Sequence, residues 1–284
     1  MIAQKGVLNE RLTDFLLYSN LYLACGAAIV AYATALTFGL ALTWEVLFIP
    51  FASGFFIYTL NRYTDKDEDR INVPVRVQFF DRCGKWFLAT SAIVYCAALA
   101  IAFTKGALIL ALSVFPLCVG LLYSFLGLKK VVIGKNLSVG VAWGSTVLLT
   151  GAFYNNLSLP VLLLFAFFAI EFFVNTVIFD VKDIQGDRAH RIITLPVALG
   201  IRRTQRLCYA LNGIALALLL LGIAVQWLPL NALVLCALAA YILAYIYLCN
   251  ETRGRLYFGL LVDGEFMFLL LAYLGPALLP NWIR

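Results

Sequence analysis

Charge is scarce in this sequence. Only 13% of its 284 residues are charged, whereas 63% are hydrophobic, and the mean hydropathy is +0.94. Soluble domains have about 25% charged residues and roughly 45–50% apolar ones, so a soluble protein is excluded. Strand-like alternation is also absent, and the apolar blocks reach about 18 residues or more, the length of a membrane-spanning helix. The composition predicts an all-α polytopic membrane protein, with one membrane-embedded domain over residues 1–284.

The residue patterns of several common sites are missing too. The single histidine, His190, lies in a polar loop, and the seven cysteines show no metal-ligand spacing. Neither a phosphate-binding glycine loop nor a Ser-His-Asp or Cys-His arrangement occurs. The net charge of +6 comes from basic residues between apolar blocks rather than from one continuous face. We therefore expect membrane topology, and not nucleic-acid binding, to explain it.

Nine helical spans are predicted between the polar segments. All Lys and Arg residues except Lys105 and Arg284 fall in the N-terminal segment or in the gaps after spans two, four, six and eight. By the positive-inside rule, these segments and the N-terminus lie on the cytoplasmic side of the cell membrane. The predicted spans are Phe15–Phe38, Leu42–Leu60, Trp86–Phe103, Ala107–Phe125, Leu137–Tyr154, Leu159–Phe179, Leu207–Trp227, Leu230–Leu248 and Tyr257–Leu279.

The first of two acidic runs, NRYTDKDEDRINVPVR, follows the second span. Its residues Asn61, Asp65 and Asp69 are four apart, so on a helix their side chains lie along one face. Like charges along one face repel each other unless a cation lies between them. Magnesium takes oxygen ligands and commonly joins one or two carboxylates to substrate phosphates.

The second acidic run, DVKDIQGD, follows the sixth span, on the same side of the membrane. Asp180, Asp183 and Asp187 are spaced three and then four residues apart, again along one helical face. We expect the two runs to face each other and to hold magnesium against a diphosphate. The alternative is that both are ordinary solvated loops at helix ends.

Both runs resemble signatures of the UbiA superfamily of intramembrane prenyltransferases. The first is similar to that family's NxxxDxxxD motif and its Asn-x-Pro-x-Arg tail, and the second leads through Gly-Asp-Arg into a Thr-Leu-Pro segment. The predicted spans also match the family's layout, so the resemblance covers nearly the whole chain. Besides the acidic residues, the matching positions are Asn72, Pro74, Arg76, Gly186, Arg188, Thr194, Leu195 and Pro196.

The resemblance implies nine helices around a central cavity that opens laterally to lipid, with a cytoplasmic polar cap. It implies two magnesium ions on an isoprenyl diphosphate, with Arg76 and Arg188 binding substrate. The implied metal ligands are Asn61, Asp65, Asp69, Asp180, Asp183 and Asp187. The implied catalytic residues are Asp65, Asp69, Asp180, Asp183 and Tyr123.

The gap after the fourth span also resembles a family segment, in which a tyrosine precedes basic residues near the diphosphate. Tyr123, Lys129 and Lys130 match it, although adjacent lysines at a span end are also typical positive-inside anchors. The first motif differs from that of many family members in the two residues after Arg76, which are Val77 and Gln78 in this chain. This departure leaves the quinone and chlorophyll subfamilies in doubt.

A few polar residues fall within apolar spans. Glu171 and Asn175 are four apart on one face below the second acidic run, and we expect them to contact the acceptor substrate or take its proton. The alternative for this pair is an interhelical hydrogen bond that fixes packing. Asp263 and Glu265 are nearer a span end and are expected to be structural. Tyr58 and Tyr123 are the first candidates for cavity-lining aromatics.

The predicted reaction is magnesium-dependent transfer of an isoprenyl group from its diphosphate to a lipophilic acceptor. Magnesium and basic side chains would neutralise the departing diphosphate, and aromatic residues would keep water from the allylic cation. The alternatives are a terpene cyclase acting on the diphosphate alone, a secondary transporter and a non-catalytic lipid-binding protein. Segments such as IGKN (Ile133–Asn136) resemble archaeal members, so archaeal membrane-lipid synthesis is one possible setting.

Overall fold

The computed structural model describes residue 15 and residues 18–125, 131–189, 192–254 and 256–278. Within these ranges the secondary structure is helical and contains no strand. Among the described residues, six helical segments are long and apolar enough to cross a membrane. The prediction of an all-α membrane protein is confirmed at this level. The six segments are Pro74–Lys105, Gly134–Phe153, Leu159–Ala189, Ile201–Ala224, Leu230–Leu248 and Tyr257–Gly275.

Helices follow one another along the chain with short connections. A 3₁₀ turn, Leu230–Leu233, precedes the tenth helix, and a π-helical segment, Tyr257–Val262, precedes the last. The α-helices are α1 (Leu21–Thr37), α2 (Trp44–Thr64), α3 (Lys66–Asn72), α4 (Pro74–Lys105), α5 (Ala107–Phe125), α6 (Gly134–Phe153), α7 (Leu159–Ala189), α8 (Leu195–Leu199), α9 (Ile201–Ala224), α10 (Val234–Leu248) and α11 (Glu265–Leu278).

Two helices extend well beyond the apolar blocks that predicted them. Helix α4 begins at Pro74, twelve residues before the predicted start at Trp86, and α7 continues past Phe179 to Ala189. Hydropathy marks the part of a helix that meets lipid, whereas charged side chains also propagate helices well. Proline additionally favours the first helical position, where its missing N–H costs nothing. Both acidic runs are therefore largely helical rather than loops.

Close packing between α6 and α7 brings the second acidic run to its partners. Gly140 and Gly144 lie against Ala169 and Phe173 of α7, so closely that a Cβ atom built on Gly140 would be 2.5 Å from the Ala169 carbonyl oxygen. Small residues four apart let membrane helices approach in this way. The same approach places Asn136, one turn earlier on α6, beside Asp180.

Irregular backbone near the cavity is stabilised by tyrosine hydroxyls. Within the π-helical segment and in the turn after it, two backbone carbonyl oxygens accept hydrogen bonds from tyrosine hydroxyls. The hydroxyl of Tyr241 donates to the Leu261 carbonyl at 2.6 Å, and that of Tyr22 donates to the Asp263 carbonyl at 2.8 Å. An unsatisfied carbonyl in an apolar bundle would cost several kcal/mol, so these bonds allow the segment to depart from the α-helix.

Replacing Gly140 by alanine tests the α6–α7 contact. The added methyl group would overlap backbone atoms of α7, so we expect Gly140→Ala to lower the free energy of unfolding by about 1–3 kcal/mol. Thermal denaturation of the detergent-solubilised protein measures the effect. Gly213→Ala is the matched control, because a Cβ on this α9 glycine meets nothing within 4 Å. Equal melting temperatures for the two variants would contradict the packing argument.

Candidate active site

A cavity of about 700 Å³ runs into the bundle from the acidic runs. Its polar end is lined by residues of α2, α3, α4 and α7 together with the start of α6, and its inner part by apolar residues such as Leu112 and Leu149. Pro50 of α2 and Pro116 of α5 also line it. A proline inside a helix removes one backbone hydrogen bond and bends the helix. These two helices therefore depart from regular geometry where they border the cavity.

The first acidic run keeps the spacing that its sequence predicts, although α2 ends at Thr64. Asp65 lies at the junction with α3, yet its N–H donates to the Asn61 carbonyl at 2.9 Å and its carbonyl accepts from the Asp69 N–H at 2.9 Å. These bonds preserve the four-residue step across the junction. As a result Asn61, Asp65 and Asp69 all line the cavity.

Asp69 is neutralised by two arginines from its own segment. Its carboxylate accepts from Arg62 at 3.3 Å and from Arg76. The side chain of Asp69 is only 9% exposed, and those of Arg62 and Arg76 are 14% and 18% exposed. The Nε atoms of both arginines are buried without a hydrogen-bond partner in the described part of the chain. The arginines therefore retain hydrogen-bonding capacity at the cavity wall.

The second acidic run lines the opposite part of the polar end. Asp180 is almost fully buried and receives Lys135 at 2.6 Å and the Asn136 amide at 2.8 Å. Asp187 accepts from the Thr194 hydroxyl at 3.1 Å. Asp183 also faces the cavity but makes no hydrogen bond or ion pair with the residues that the structure describes. Its carboxylate is thus open to a ligand.

Oxygen ligands from both acidic runs share this cavity, but they are not gathered into a tight cluster. In the described ranges, no group of three or more His, Cys, Asp and Glu side chains is close enough to hold a metal ion. Asp69 and Asp180 are held instead by arginine, lysine and asparagine side chains. The donor set still has the hard-oxygen chemistry that magnesium prefers.

Some predicted site residues lie elsewhere. The Tyr123 side chain, Lys129 and Lys130 fall outside the described residues. Arg188 is exposed and does not line the cavity. Glu171 also lies off the cavity, and both of its carboxylate oxygens accept from the Asn212 amide, at 3.1 and 3.0 Å. This hydrogen bond joins α7 to α9, as in the alternative role that the sequence left open for Glu171, an interhelical bond that fixes packing.

Asn175 does line the cavity, and its amide donates to the Glu265 carboxylate at 2.9 Å. The other Glu265 oxygen accepts from the Tyr245 hydroxyl at 3.0 Å. Glu265 therefore has the structural position expected of it. Asp263, for which a structural role was expected, is among the residues that line the cavity. The π-helical segment, invisible in a hydropathy pattern, turns this residue inward.

Several cavity residues were not identified as candidates from the sequence. Arg62 and Lys182 lie inside the two acidic runs, and Lys135 lies next to the polar start of α6. Their proximity to the motifs was the one signal that could have found them. Nothing in the sequence separates Arg253 from other basic residues at span ends, since only the tertiary structure places it at the cavity.

An aromatic cluster borders the cavity below the polar end. Trp143 of α6 packs on Phe266 and Phe172, with ring centroids 4.8 and 5.0 Å apart. Its indole N–H donates to the Tyr58 hydroxyl at 2.6 Å. All four residues line the cavity. Large rings fixed in this way exclude water from the inner cavity and present negative π faces that can stabilise a cation.

Comparison with known proteins identifies the family. The model of the UbiA prenyltransferase family matches residues 20–271. The chain belongs to this family. A digeranylgeranylglyceryl phosphate synthase of Methanoregula boonei is 31% identical over 251 residues, which cover 83% of this chain and 84% of the relative. The resemblance seen in the acidic motifs is thereby confirmed, and the protein is a UbiA prenyltransferase.

Solved structures share the fold of this UbiA prenyltransferase at low sequence identity. The apo structure of a UbiA homolog from Aeropyrum pernix K1 superposes with a TM-score of 0.72 at 20% identity and covers 91% of this chain and 99% of that one. A UbiA homolog from Archaeoglobus fulgidus bound to GPP and Mg2+ gives a TM-score of 0.66 at 16% identity, covering 92% and 99%. Both agree with the helical architecture described above.

The pairing of Asp69 with two arginines makes a stability prediction. Asp69→Asn would leave two poorly exposed guanidinium groups without their counter-charge, and breaking a buried pair costs roughly 3 kcal/mol. We expect a lower melting temperature for this variant in detergent. Asp67→Asn is the control, because the Asp67 side chain is 90% exposed and pairs only with Arg70. If the Asp67 variant lost as much stability, the pairs of Asp69 would not be the cause.

Proposed function

We propose that this enzyme transfers an isoprenyl group from its diphosphate to a hydroxyl group of a glyceryl phosphate lipid. The observation that carries the proposal is one cavity with carboxylates and cations at its polar end and fixed aromatic rings further in. The acceptor class is supported by the synthase of Methanoregula boonei, because the product in its name is a glyceryl phosphate with two geranylgeranyl groups. The whole chain acts as one membrane-embedded domain under this proposal.

The donor set at the polar end fits magnesium. Asn61, Asp65 and Asp69 would bind it from one side of the cavity, and Asp180, Asp183 and Asp187 from the other, with two ions as the proposed number. When bound, magnesium supplies Lewis-acid neutralisation of charge on the diphosphate oxygens. The UbiA homolog from Archaeoglobus fulgidus, bound to GPP and Mg2+, supports this use of a divalent ion.

Basic residues at the same end take part in binding the diphosphate. Arg62 and Arg76 contact Asp69, and Lys135 contacts Asp180. In the substrate complex these cations would turn toward the diphosphate. Guanidinium groups match phosphate oxygens with paired donors, and charge growing on the leaving group as the bond breaks strengthens each contact. Binding energy is thus greatest in the transition state.

The reaction then runs by ionisation. The bond between the allylic carbon and the diphosphate oxygen breaks, and its electron pair leaves with the diphosphate. The acceptor hydroxyl oxygen forms the new bond to the allylic carbon and loses its proton. We assign this proton to Asp263, because its carboxylate lines the cavity and has no hydrogen bond or ion pair among the described residues. Trp143, Phe172 and Phe266 keep water away meanwhile.

In the membrane, nine spans are proposed. Helices α1, α2 and α5 would join the six segments that are long and apolar enough by themselves. The distribution of basic residues supports a cytoplasmic position for the N-terminus and for the polar end of the cavity. A water-soluble diphosphate would then enter from the cytoplasm, while a lipophilic acceptor would reach the cavity from the bilayer.

The acidic runs are tested by removing one carboxylate from each. We expect Asp65→Ala and Asp183→Ala to abolish diphosphate release from geranylgeranyl diphosphate, because charge on the leaving group is no longer neutralised. Removing divalent ions with EDTA should also abolish diphosphate release by the wild type. Adding magnesium should restore release by the wild type but not by the two variants. Asp183→Ala should keep the wild-type melting temperature, since Asp183 bonds to none of the described residues. Activity retained in both variants would overturn the proposed site.

The role of Asp263 predicts a different defect. Asp263→Asn keeps the size of the side chain but cannot accept the proton. We expect it to lower transfer to the acceptor by about 10²-fold or more, while slow hydrolysis of the donor in the absence of acceptor continues. Measuring ether product and released diphosphate in parallel separates these steps. Loss of both would assign Asp263 to donor binding instead.

Product analysis decides the function itself. Purified protein, magnesium and geranylgeranyl diphosphate are incubated with and without geranylgeranylglyceryl phosphate, and products are identified by mass spectrometry. Transfer predicts an ether product that needs the acceptor. A cyclised hydrocarbon formed without acceptor would identify a terpene cyclase, and absence of any diphosphate release would favour a transporter or a lipid-binding protein.

A further inference from the structure

Two cations in the cavity are not committed to the acidic runs. Among the described residues, five basic side chains line the cavity: Arg62, Arg76, Lys135, Lys182 and Arg253. The first three form ion pairs with Asp69 or Asp180. Lys182 and Arg253 form none within 4 Å with any described carboxylate, although Asp183 and Asp263 line the same cavity. The charges of Asp183 and Asp263 act on Lys182 from beyond that distance, and Arg253 is exposed. Both side chains keep N–H donors available for an anionic ligand.

Helix α7 presents two neighbouring stripes of side chains to the cavity. At 100° per residue, Thr176, Asp180, Asp183 and Asp187 form one stripe along the helix, and Asn175, Phe179, Lys182 and Gly186 form the next. The first stripe faces α6, as shown by the bonds of Asn136 to Asp180 and Thr176. The second faces the π-helical segment, since the Phe179 ring lies 5.8 Å from that of Phe258.

The two uncommitted cations rest on neighbouring rings of that segment. The Lys182 ammonium lies 4.6 Å from the Phe179 ring centroid and 5.8 Å from that of Phe258. The Arg253 guanidinium lies 5.7 Å from the Tyr257 ring, while its Nε donates to the Leu248 carbonyl at 2.8 Å. The rings of Tyr257 and Phe258 are 4.8 Å apart. Cation–π contacts hold both side chains in place without neutralising them.

We propose that Lys182 and Arg253 form a subsite for the phosphate group of the acceptor lipid. The inference rests on the proposed function and adds to it where the second substrate binds. A phosphate monoester carries between one and two negative charges near neutral pH, which two unpaired cations match. The alternative source of the same chemistry is the donor diphosphate, but its place is on the other stripe, beside the carboxylates and their cations.

The proposed sites of the two anionic groups lie on neighbouring stripes of α7. Donor diphosphate and acceptor phosphate would repel each other on a shared site, so binding on two stripes reduces that repulsion. Asp263 follows the π-helical segment directly, so the proton acceptor lies on the side of the acceptor. The acceptor's hydroxyl would then approach the allylic carbon from the wall opposite the leaving group.

The test compares acceptors with and without phosphate. Lys182→Gln and Arg253→Gln are assayed with geranylgeranyl diphosphate, magnesium and either geranylgeranylglyceryl phosphate or geranylgeranylglycerol. We expect each variant to raise the KM of the phosphorylated acceptor about tenfold, the size of one lost charge-assisted hydrogen bond. The KM of the donor, the rate with geranylgeranylglycerol and the melting temperature should stay at wild-type values. Lys66→Gln and Arg70→Gln are the controls, because both residues form exposed surface pairs.

Three results would overturn the subsite. The first is an unchanged KM for the phosphorylated acceptor in both variants, and the second is an equal loss of activity with geranylgeranylglycerol. The third is a raised KM for the donor while the KM for the phosphorylated acceptor stays unchanged. Equilibrium binding of geranylgeranylglyceryl phosphate to wild type and variants, measured without donor, gives the same decision independently of turnover. Weaker binding in the variants supports the subsite even where no ether product forms, an outcome that would contradict only the proposed transfer.

Discussion

The structure depends on keeping carboxylates charged at the end of an apolar helical bundle. An isolated charge removed from water costs several kcal/mol even after relaxation, and a matched partner offsets that cost. Arg62 and Arg76 supply the partner for Asp69, and Lys135 with Asn136 does so for Asp180. These pairs hold charged and polar side chains of α2, α4 and α6 against carboxylates of α3 and α7 at the polar end of the cavity.

The same pairs explain how a site can be both stable and receptive. Under the proposed function, cations that neutralise carboxylates in the free protein would turn to a diphosphate when a divalent ion binds the carboxylates, so little charge would be left uncompensated. Asp183 and Asp263 stand outside these pairs, as do Lys182 and Arg253. Among the described residues, the cavity therefore contains carboxylates and cations that neutralise each other beside others that form no ion pair within 4 Å.

The acidic motifs were predictable because side-chain direction in a helix follows from residue spacing alone. Asn61, Asp65 and Asp69 reach one cavity wall although α2 ends between them, because the backbone bonds of the four-residue step continue. Helix ends were less predictable. Hydropathy reports which residues contact lipid, and the polar ends of α4 and α7 extend beyond the apolar blocks that hydropathy identifies. The sequence did not separate the possible roles of Glu171 and Asp263, because a buried acid looks alike in sequence whether it contacts another helix or lines a cavity.

The sequence by itself determined the class of fold and the two acidic faces, because composition and periodicity are local properties that each helix carries with it. The family followed from the resemblance of the acidic motifs to known signatures. Only the tertiary structure decided which cations reach the cavity, since Lys135, Lys182 and Arg253 are brought there by segments far apart in the chain. It also decided that a π-helical segment turns Asp263 inward. These are consequences of how the helices pack. Packing brings together residues that are far apart in the sequence, so no periodic pattern predicts their contacts.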